Sequence, residues 1–280
     1  MSARLRGIAK ETEAIVRTGG YRARTGRDVL IRAAVDAAVA GTTLYGPDPL
    51  PGVPAAPGRA APTRIEVTGE SGLGAARRLT AAAPGPVAVL CFASARNPGG
   101  GYLNGAQAQE EALCRSSALY TTLLSVPEFY AHHRADRSPF YTDRVVCSPA
   151  VPVFRDDRGR LLDTPYGVGF LTSPAPNAGV IARTAPDLAP LIPAALASRA
   201  QRVLETAVVR GYRRLVLGAW GCGVFMNDPA AVAEVFRAQL TGGGRFAGHF
   251  DETVFAVLDR TAGATTRGAF HRVLAGEQVR

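Results

Sequence analysis

Lysine is almost absent from this sequence: Lys10 is the only one among 32 basic residues in a chain of 280. The other basic residues are arginines, and 23 acidic residues leave a formal net charge of +9. Much alanine, arginine, glycine and proline with little lysine is typical of a GC-rich genome, and the basic residues form no cluster of five or more. The charge therefore permits an anionic partner but does not by itself indicate a nucleic-acid-binding face.

Cysteines and long apolar runs are also scarce. The four cysteines are scattered without a CxxC pair, which argues against a zinc site and a disulfide scaffold and favours a reducing cytoplasm. No apolar run approaches the ~20 residues that cross a bilayer, and the N-terminus lacks the apolar segment of a secretory signal. We therefore expect a cytoplasmic protein with neither a membrane partner nor a metal site.

A proline-rich segment divides the chain. Residues 46–62 contain prolines at positions 47, 49, 51, 54, 57 and 62, a density that neither a helix nor an inner strand accommodates. We predict an N-terminal helical extension with a Pro-rich connector over residues 1–62, with helices at 2–17 and 29–40. The main domain is predicted to span residues 63–280.

Within the main domain, apolar segments typical of strands alternate with helical ones. Strands are predicted at 64–68, 86–93, 145–153, 168–172, 214–220 and 253–258, and helices at 71–82, 107–124, 187–209 (with a break at Pro193) and 229–240. Because several strands are continuously apolar, they are expected to be buried on both faces of a mostly parallel sheet. Ligands bind such sheets at the carboxyl ends of the strands, where this chain has two glycine-rich loops.

The first loop, residues 94–111, contains three consecutive glycines and ends in two acidic residues, Glu110 and Glu111, in the first turn of the following helix. Without Cβ atoms, the glycines allow backbone N–H groups to approach phosphate or sugar oxygens. Acidic residues in a first helical turn complement the helix dipole, and a carboxylate beside a dry loop can also act as a general acid. The residues by themselves favour neither helix capping nor catalysis.

The second loop, residues 218–229, contains three glycines and ends in Asp228 and Pro229, which suit the N-cap and first position of a helix. A strand, a glycine turn and a helix N-terminus together form an anion site suited to a diphosphate. The glycine spacing is GxxGxG and lies late in the chain, unlike the dinucleotide-binding fingerprint. With Asp259 as a ribose-binding acid, an NAD(P)-dependent oxidoreductase stays as an alternative.

Together the two loops resemble those of the microbial-type poly(ADP-ribose) glycohydrolases, a catalytic branch of the macrodomain superfamily. The GGG, spacer and QEE of that family are similar to Gly99-Gly100-Gly101 and Gln109-Glu110-Glu111, and its diphosphate loop is similar to Gly221-Cys222-Gly223-Val224-Phe225. Residues 92–98, 172–177 and 218–220 also look like this family, and the likeness runs from about residue 20 to 265. The resemblance implies a three-layer α/β/α macrodomain with a mixed, mostly parallel central sheet.

The resemblance also implies hydrolysis of the ribose–ribose O-glycosidic bonds of poly(ADP-ribose), with release of ADP-ribose. Glu111 would protonate the leaving 2′-oxygen and then activate water, through a transition state like an oxocarbenium ion. Glu110 would hold ribose hydroxyls, and Gln109 would support both acids. The other implied substrate-binding residues are Asn97, Gly99, Gly100 and Gly101 at the distal ribose and diphosphate, and Gly221, Cys222, Gly223, Val224 and Phe225 at the diphosphate and terminal ribose.

At the adenine end, the resemblance implies an acidic side chain shortly after the first strand, for which Glu70 is the candidate; an exposed turn residue is the other interpretation. Phe225 and Phe270 are candidates for an aromatic ring on adenine. The implied partners are poly(ADP-ribose), ADP-ribose and ADP-ribosylated proteins, with no cofactor and no sequence-specific nucleic acid, for a monomeric bacterial enzyme that reverses ADP-ribosylation in the DNA damage response. A macrodomain that binds ADP-ribose without cleaving it is the alternative, and the intact Gln109-Glu110-Glu111 argues against it.

The remaining conspicuous residues are interpreted as structural. Trp220, at the end of the predicted strand 214–220, is expected to pack in the core. His132 and His133 are expected in a solvated connection after a helix, and Asp156-Asp157 in a hairpin turn.

Overall fold

The computed structural model describes residues 2–54 and 62–276, which form ten α-helices and nine β-strands. The helices are α1 Ala3–Thr18, α2 Arg32–Gly41, α3 Gly72–Ala82, α4 Gln109–Ser116, α5 Leu119–Leu124, α6 Pro127–Ala135, α7 Ala178–Thr184, α8 Ile192–Val209, α9 Pro229–Leu240 and α10 Thr265–Leu274. The strands are β1 Gly20–Arg22, β2 Asp28–Leu30, β3 Thr43–Tyr45, β4 Arg64–Thr68, β5 Val87–Phe92, β6 Val145–Arg155, β7 Leu161–Ser173, β8 Arg214–Leu217 and β9 Glu252–Ala256. Among these helices, none combines the length and the apolar character needed to cross a membrane.

Seven strands form one mixed sheet in the order β3-β6-β7-β5-β8-β9-β4. The five strands from β7 to β4 are parallel. At one edge, β6 pairs antiparallel with β7, and β3 pairs antiparallel with β6. Strand β5 lies between β7 and β8 near the middle of the sheet. The carboxyl ends of β5 and β8 therefore open at the same edge, and the two glycine loops follow them there.

Side chains from β5 are buried on both faces of the sheet. Val87, Val89 and Cys91 point into a core shared with helices α1 to α6, whereas Ala88 and Leu90 point into a second core shared with α8, α9 and α10. This alternation follows from the two-residue period of a strand, and it explains why residues 86–93 are apolar without interruption. The structure thus confirms the α/β/α layers with a mixed, mostly parallel sheet.

The N-terminal residues contribute to the same sheet. Strand β3 pairs with β6 through Thr43 and Cys147, and the backbone N–H of Leu50 donates to the buried Glu205 carboxylate at 3.0 Å. Residues 55–61 of the predicted connector lie outside the described residues. The domain boundary after residue 62 stays a prediction. Strand β3, which lies before that boundary, is hydrogen-bonded to β6 of the main sheet.

Two helix ends carry capping residues that follow known preferences, and the one at Asp228-Pro229 is as predicted. The carboxylate of Asp228 accepts hydrogen bonds from the N–H groups of Ala230 and Ala231, and Pro229 opens α9. Helix α1 ends at Thr18 and is capped by Gly19, whose φ of 79° lies in the left-handed region that glycine tolerates. These caps explain why both ends were readable from the sequence.

The prediction of a single helix over residues 107–124 is wrong, because two helices occupy this segment. Helix α4 ends at Ser116 and α5 begins at Leu119. Between them, Ser117 forms a β-bridge with Val153, and the Ala118 N–H donates to the Pro152 carbonyl. Pairing with β6 therefore interrupts the helix at a place that no helix-breaking residue marks.

Other boundaries shift by a few residues. Residues 28–30 form β2 before α2 begins at Arg32, and the predicted break at Pro193 lies instead between a 3-10 helix, Pro186–Leu191, and α8. Strand β8 ends at Leu217 rather than at Trp220, because the Trp220 N–H folds back onto the Gly218 carbonyl in a turn. Trp220 itself is fully buried, as predicted.

Candidate active site

The first glycine loop is shaped by two glycines in the left-handed region. Gly99 has a φ of 64° and Gly100 a φ of 57°, and the Gly100 N–H donates to the carbonyl of Asn97 at 3.0 Å. A Cβ atom on Gly100 would lie 2.6 Å from Glu111 Oε1 and 3.2 Å from Glu110 Oε2. Gly100 therefore fits against both carboxylates because it has no side chain.

Gln109 fixes the start of α4 to the sheet. Its Oε1 accepts from the Phe92 N–H at 2.9 Å, and its Nε2 donates to the Leu90 carbonyl at 2.8 Å. The β5–β8 ladder ends at the pair Val89 and Val216, so the amide of Gln109 hydrogen-bonds to β5 beyond that point. These bonds hold the first residue of α4 against β5, and the role of Gln109 in supporting the two acids stays a prediction.

Glu110 is almost completely buried. Its Oε2 accepts from the Ser94 N–H at 2.6 Å, whereas Oε1 is buried with no partner among the described residues. Burial raises the pKa of Glu110 well above its ordinary value; the Ser94 and Gly99 N–H groups oppose this shift, and the nearby Glu111 adds to it. The free oxygen makes Glu110 able to bind a hydroxyl group.

Glu111 has one oxygen bound and one free. Oε1 accepts from the Gly101 N–H at 2.9 Å, and Oε2 is buried without a partner among the described residues. One turn later, Arg115 donates to the Ala106 carbonyl at 2.6 Å; burial lowers the pKa of Arg115, and the charge of Glu111 opposes that shift. A buried acid with one free oxygen is suited to proton transfer.

The second glycine loop closes on itself through Asn227. The Asn227 side chain donates to the carbonyls of Pro176 and Gly221, at 2.8 and 3.1 Å. Gly221 has a φ of 71°, and a Cβ there would lie 2.5 Å from Ala175 Cβ. The loop is thus held in one conformation while Gly223 and Val224 stay exposed.

Among the aromatic candidates, Phe225 and Phe270 have different environments. Phe225 is half-buried, and its ring centroid lies 5.9 Å from that of Tyr141. Phe270 is fully buried, 5.8 Å from Phe255. Phe270 is therefore a core residue, and of the two only Phe225 is partly exposed.

Glu70 and Asp259, the two acidic residues considered from the sequence for ligand binding, are both engaged by protein groups. Glu70 is half-buried and forms an ion pair with Arg78 at 2.6 Å, so its role toward adenine stays a prediction. Asp259 accepts hydrogen bonds from Thr261, and from the N–H groups of Thr266 and Arg267 at the start of α10. Since both oxygens of Asp259 are occupied, it is poorly placed to bind ribose as the oxidoreductase alternative requires.

A cleft of about 570 Å³ connects these elements. Its wall includes Phe92, Gln109, Ala219, Cys222, Gly223 and Asp259. Glu110 and Glu111 are not lining residues; they are buried against the glycine loop beside Gln109. The cleft thus joins the second glycine loop to the helix that carries the two acids.

His133 corrects one prediction. It lies in α6 and is fully buried, rather than in a solvated connection. Its Nδ1 is 2.9 Å from the Phe129 carbonyl and its Nε2 is 2.8 Å from Thr142 Oγ1, which fits a neutral ring that donates through Nδ1 and accepts through Nε2. Burial lowers the pKa of His133 to about 4.

His133→Asn is expected to reduce the loss of stability on acidification. An unfolded histidine titrates near pH 6.5 and folded His133 near 4, so the unfolded state binds more protons between these values. The contribution of neutral His133 to the free energy of unfolding is therefore fully present above about pH 6.5 and is lost as the pH falls toward 4. Between pH 7.5 and 5.0 the unmodified protein should lose about 1 to 2 kcal/mol more unfolding free energy than the variant, as measured by urea unfolding. An equal loss in the variant and in the unmodified protein would contradict this account.

The family model described as "Microbial-type PARG, catalytic domain" matches residues 9–156, more than half of the chain. The chain belongs to this family. The match includes the Gly99–Gly101 loop and Gln109-Glu110-Glu111, and it begins before the Pro-rich connector. Among curated proteins, no match was found.

Solved PARG structures are similar to this chain over nearly its whole length. Poly(ADP-ribose) glycohydrolase from Thermomonospora curvata is 54% identical with a TM-score of 0.92, and the match covers 97% of this chain and 100% of that one. The same enzyme bound to the inhibitor ADP-HPD is 54% identical with a TM-score of 0.89, covering 97% and 99%. PARG from Deinococcus radiodurans in complex with ADP-ribose is 46% identical with a TM-score of 0.80, covering 86% and 97%.

Two residues beside the site were missed in the sequence. Tyr141 contacts Phe225, and the buried Arg199 binds the segment that carries Tyr141, donating to the Phe140 carbonyl at 2.8 Å. Neither residue lies in a glycine loop, and an arginine inside a helix ordinarily indicates a solvated face. The sequence therefore gave no signal for either one.

Proposed function

We propose that this PARG family member is a glycosidase that hydrolyses ribose–ribose bonds of poly(ADP-ribose) to release ADP-ribose. The observation that carries the proposal is the arrangement of Glu111: one carboxylate oxygen is fixed by the Gly101 N–H and the other is buried and free. The similar PARG structures, one of them with bound ADP-ribose, support the same substrate class.

Glu111 acts first as a general acid. The protonated carboxyl donates its proton to the 2′-oxygen of the leaving adenosine ribose as the bond from that oxygen to C1 of the neighbouring ribose breaks. Positive charge then develops on the ribose ring, as in other glycoside cleavages. The ionised Glu111 accepts a proton from water as the water oxygen bonds to C1, which restores the acid.

The remaining predicted site residues hold the substrate. Glu110 offers its free Oε1 to a ribose hydroxyl, and Gln109 keeps both acids in register with β5. Asn97 and the glycines of the first loop bind the distal ribose and diphosphate. The backbone of Gly221–Phe225 holds the diphosphate, and Glu70 recognises the adenine amine.

ADP-ribosylated proteins are the proposed carriers of the polymer, and removal of ADP-ribose chains is the proposed role. The binding-only alternative needs the diphosphate loop but not two buried carboxylates, which are costly to bury. Two observations count against the oxidoreductase alternative: the GxxGxG spacing of the second glycine loop, and the hydrogen bonds that occupy both carboxylate oxygens of Asp259.

Purified polymer, incubated with the protein and resolved by chain length and mass, tests the proposal. We expect the polymer to shorten and ADP-ribose to accumulate. Polymer that is bound but not shortened would favour the binding-only alternative, and turnover of NAD(P)H, followed by absorbance, would favour the oxidoreductase.

A further inference from the structure

Three side chains connect the two glycine loops. The guanidinium carbon of Arg96, in the first loop, lies 6.0 Å from the ring centroid of Tyr141. The Tyr141 ring in turn lies 5.9 Å from Phe225 of the second loop, at an interplanar angle of 40°. We call these residues the Arg96–Tyr141–Phe225 stack. It is built from a cation–π contact and an aromatic pair, both of which are favourable geometries.

Tyr141 has a backbone conformation that a bulky residue rarely adopts. Its φ is 59°, in the left-handed region. Such strain persists only where the surrounding structure fixes the chain, and it is concentrated at functional sites. Contacts on either side of Tyr141 must therefore hold this conformation in place.

Anchors on both sides of Tyr141 hold it. Arg199, 2% exposed, donates to the Phe140 carbonyl at 2.8 Å and to Asp143 Oδ1 at 3.1 Å. On the other side, Thr142 Oγ1 is 2.8 Å from Nε2 of the buried His133. The residues before and after Tyr141 are thus tied to α8 and α6, and the ring between them is directed at Phe225.

Arg96 is held from the same helix as His133. Its Nε donates to the His133 carbonyl at 3.3 Å, and its own carbonyl accepts from Arg134 at 2.8 Å. The α6 helix therefore anchors both the first glycine loop and the segment that carries Tyr141. The distance between the loops is fixed through this helix and through the stack.

We propose that Tyr141 is a positioning residue, which acts through Phe225 to hold the terminal ribose over Glu111. This inference rests on the proposed function. The ring supplies the contact, since the Tyr141 hydroxyl has no hydrogen bond to any of the described residues. The backbone grip on the diphosphate does not involve Tyr141, so loss of the ring affects turnover more than binding.

The test compares Tyr141→Ala, Tyr141→Phe and Phe225→Ala in polymer hydrolysis, with the affinity for ADP-ribose and the melting temperature measured in parallel. We expect Tyr141→Ala to lower kcat at least about 10-fold, because misplaced substrate reacts slowly, with KM and the Kd for ADP-ribose changed less than about threefold. Tyr141→Phe restores kcat to within about twofold. Combining Tyr141→Ala with Phe225→Ala is no worse than the more severe single change, since residues that act as a unit are not additive.

Tyr45→Ala is the matched control, because Tyr45 is also half-buried but lies on β3 at the sheet edge. If Tyr141→Ala does not fold, Tyr141→Leu keeps the apolar bulk without the ring and takes its place. An unchanged kcat, additive effects with Phe225, or a Tyr141→Phe variant as slow as Tyr141→Ala would each overturn the inference. A wild-type protein that releases no ADP-ribose would instead overturn the proposed function, and this inference with it.

Discussion

Glu111→Gln is expected to lower kcat for polymer hydrolysis by about 10³-fold, because a general acid and base contributes up to about 10⁴-fold. Glutamine has the same shape, and its amide oxygen can still accept the Gly101 N–H that Glu111 Oε1 now accepts. It cannot donate a proton to the leaving oxygen or take one from water. Binding of ADP-ribose, measured by calorimetry, should stay within about threefold of the unmodified protein.

The control for this substitution is Glu234→Gln, which changes a half-exposed carboxylate on α9 paired only with Arg237 in the described structure. Its kcat should equal that of the unmodified protein. Hydrolysis by Glu111→Gln at the native rate would show that another group supplies the proton.

Gly100→Ala is expected to lower kcat at least about 100-fold while the folded structure is retained. The added methyl would lie 2.6 Å from Glu111 Oε1, so the carboxylate must move, and a displacement of about 1 Å can cost 10²-fold in rate. The atom in the way is the end of a side chain rather than backbone, so the fold can adjust. The left-handed φ of 57° adds about 1 kcal/mol of strain for alanine.

Thermal unfolding and steady-state kinetics on the same preparation separate the two effects. Gly46→Ala is the matched control, because a Cβ at Gly46 meets no atom within 4 Å. If Gly100→Ala keeps full activity, the close approach of the first loop to Glu111 has no part in catalysis.

Much of the fold could be predicted because its signals are local. A strand buried on both faces must be apolar throughout, as residues 87–92 are, and Asp228-Pro229 marks a helix start by hydrogen bonding within one turn. The mostly parallel sheet covered on both faces follows from the alternation of such segments, whereas its mixed character was implied by the family resemblance; the structure confirms both.

The remainder depends on contacts between distant parts of the chain. The break between α4 and α5 comes from pairing of Ser117 with Val153, and β3 has only three residues, whose pairing with β6 no local pattern specifies. His133 looks like a surface residue in the sequence, but its ring is buried between the Phe129 carbonyl of its own helix and the Thr142 hydroxyl of a following segment.

The candidate site divides in the same way. Gly99–Gly101 and Gln109-Glu110-Glu111 are close in sequence, so their juxtaposition was predictable from the motif. The partners of Gln109 on β5, the anchoring of Tyr141 by Arg199 and the fixed position of Phe225 arise only when the sheet assembles. The particular roles assigned to the site residues stay proposals for the experiments above.

The pairing of β3 with β6 has a consequence for how the chain can be shortened. A protein that begins after residue 62 would lose β3 and leave the backbone groups around Cys147 without partners at the edge of the sheet. Exposed edges of this kind recruit strands from other molecules. Truncation at the Pro-rich connector would therefore favour self-association and aggregation. A chain shortened from the N-terminus should still include β3, Thr43–Tyr45, so that β6 keeps its partner strand.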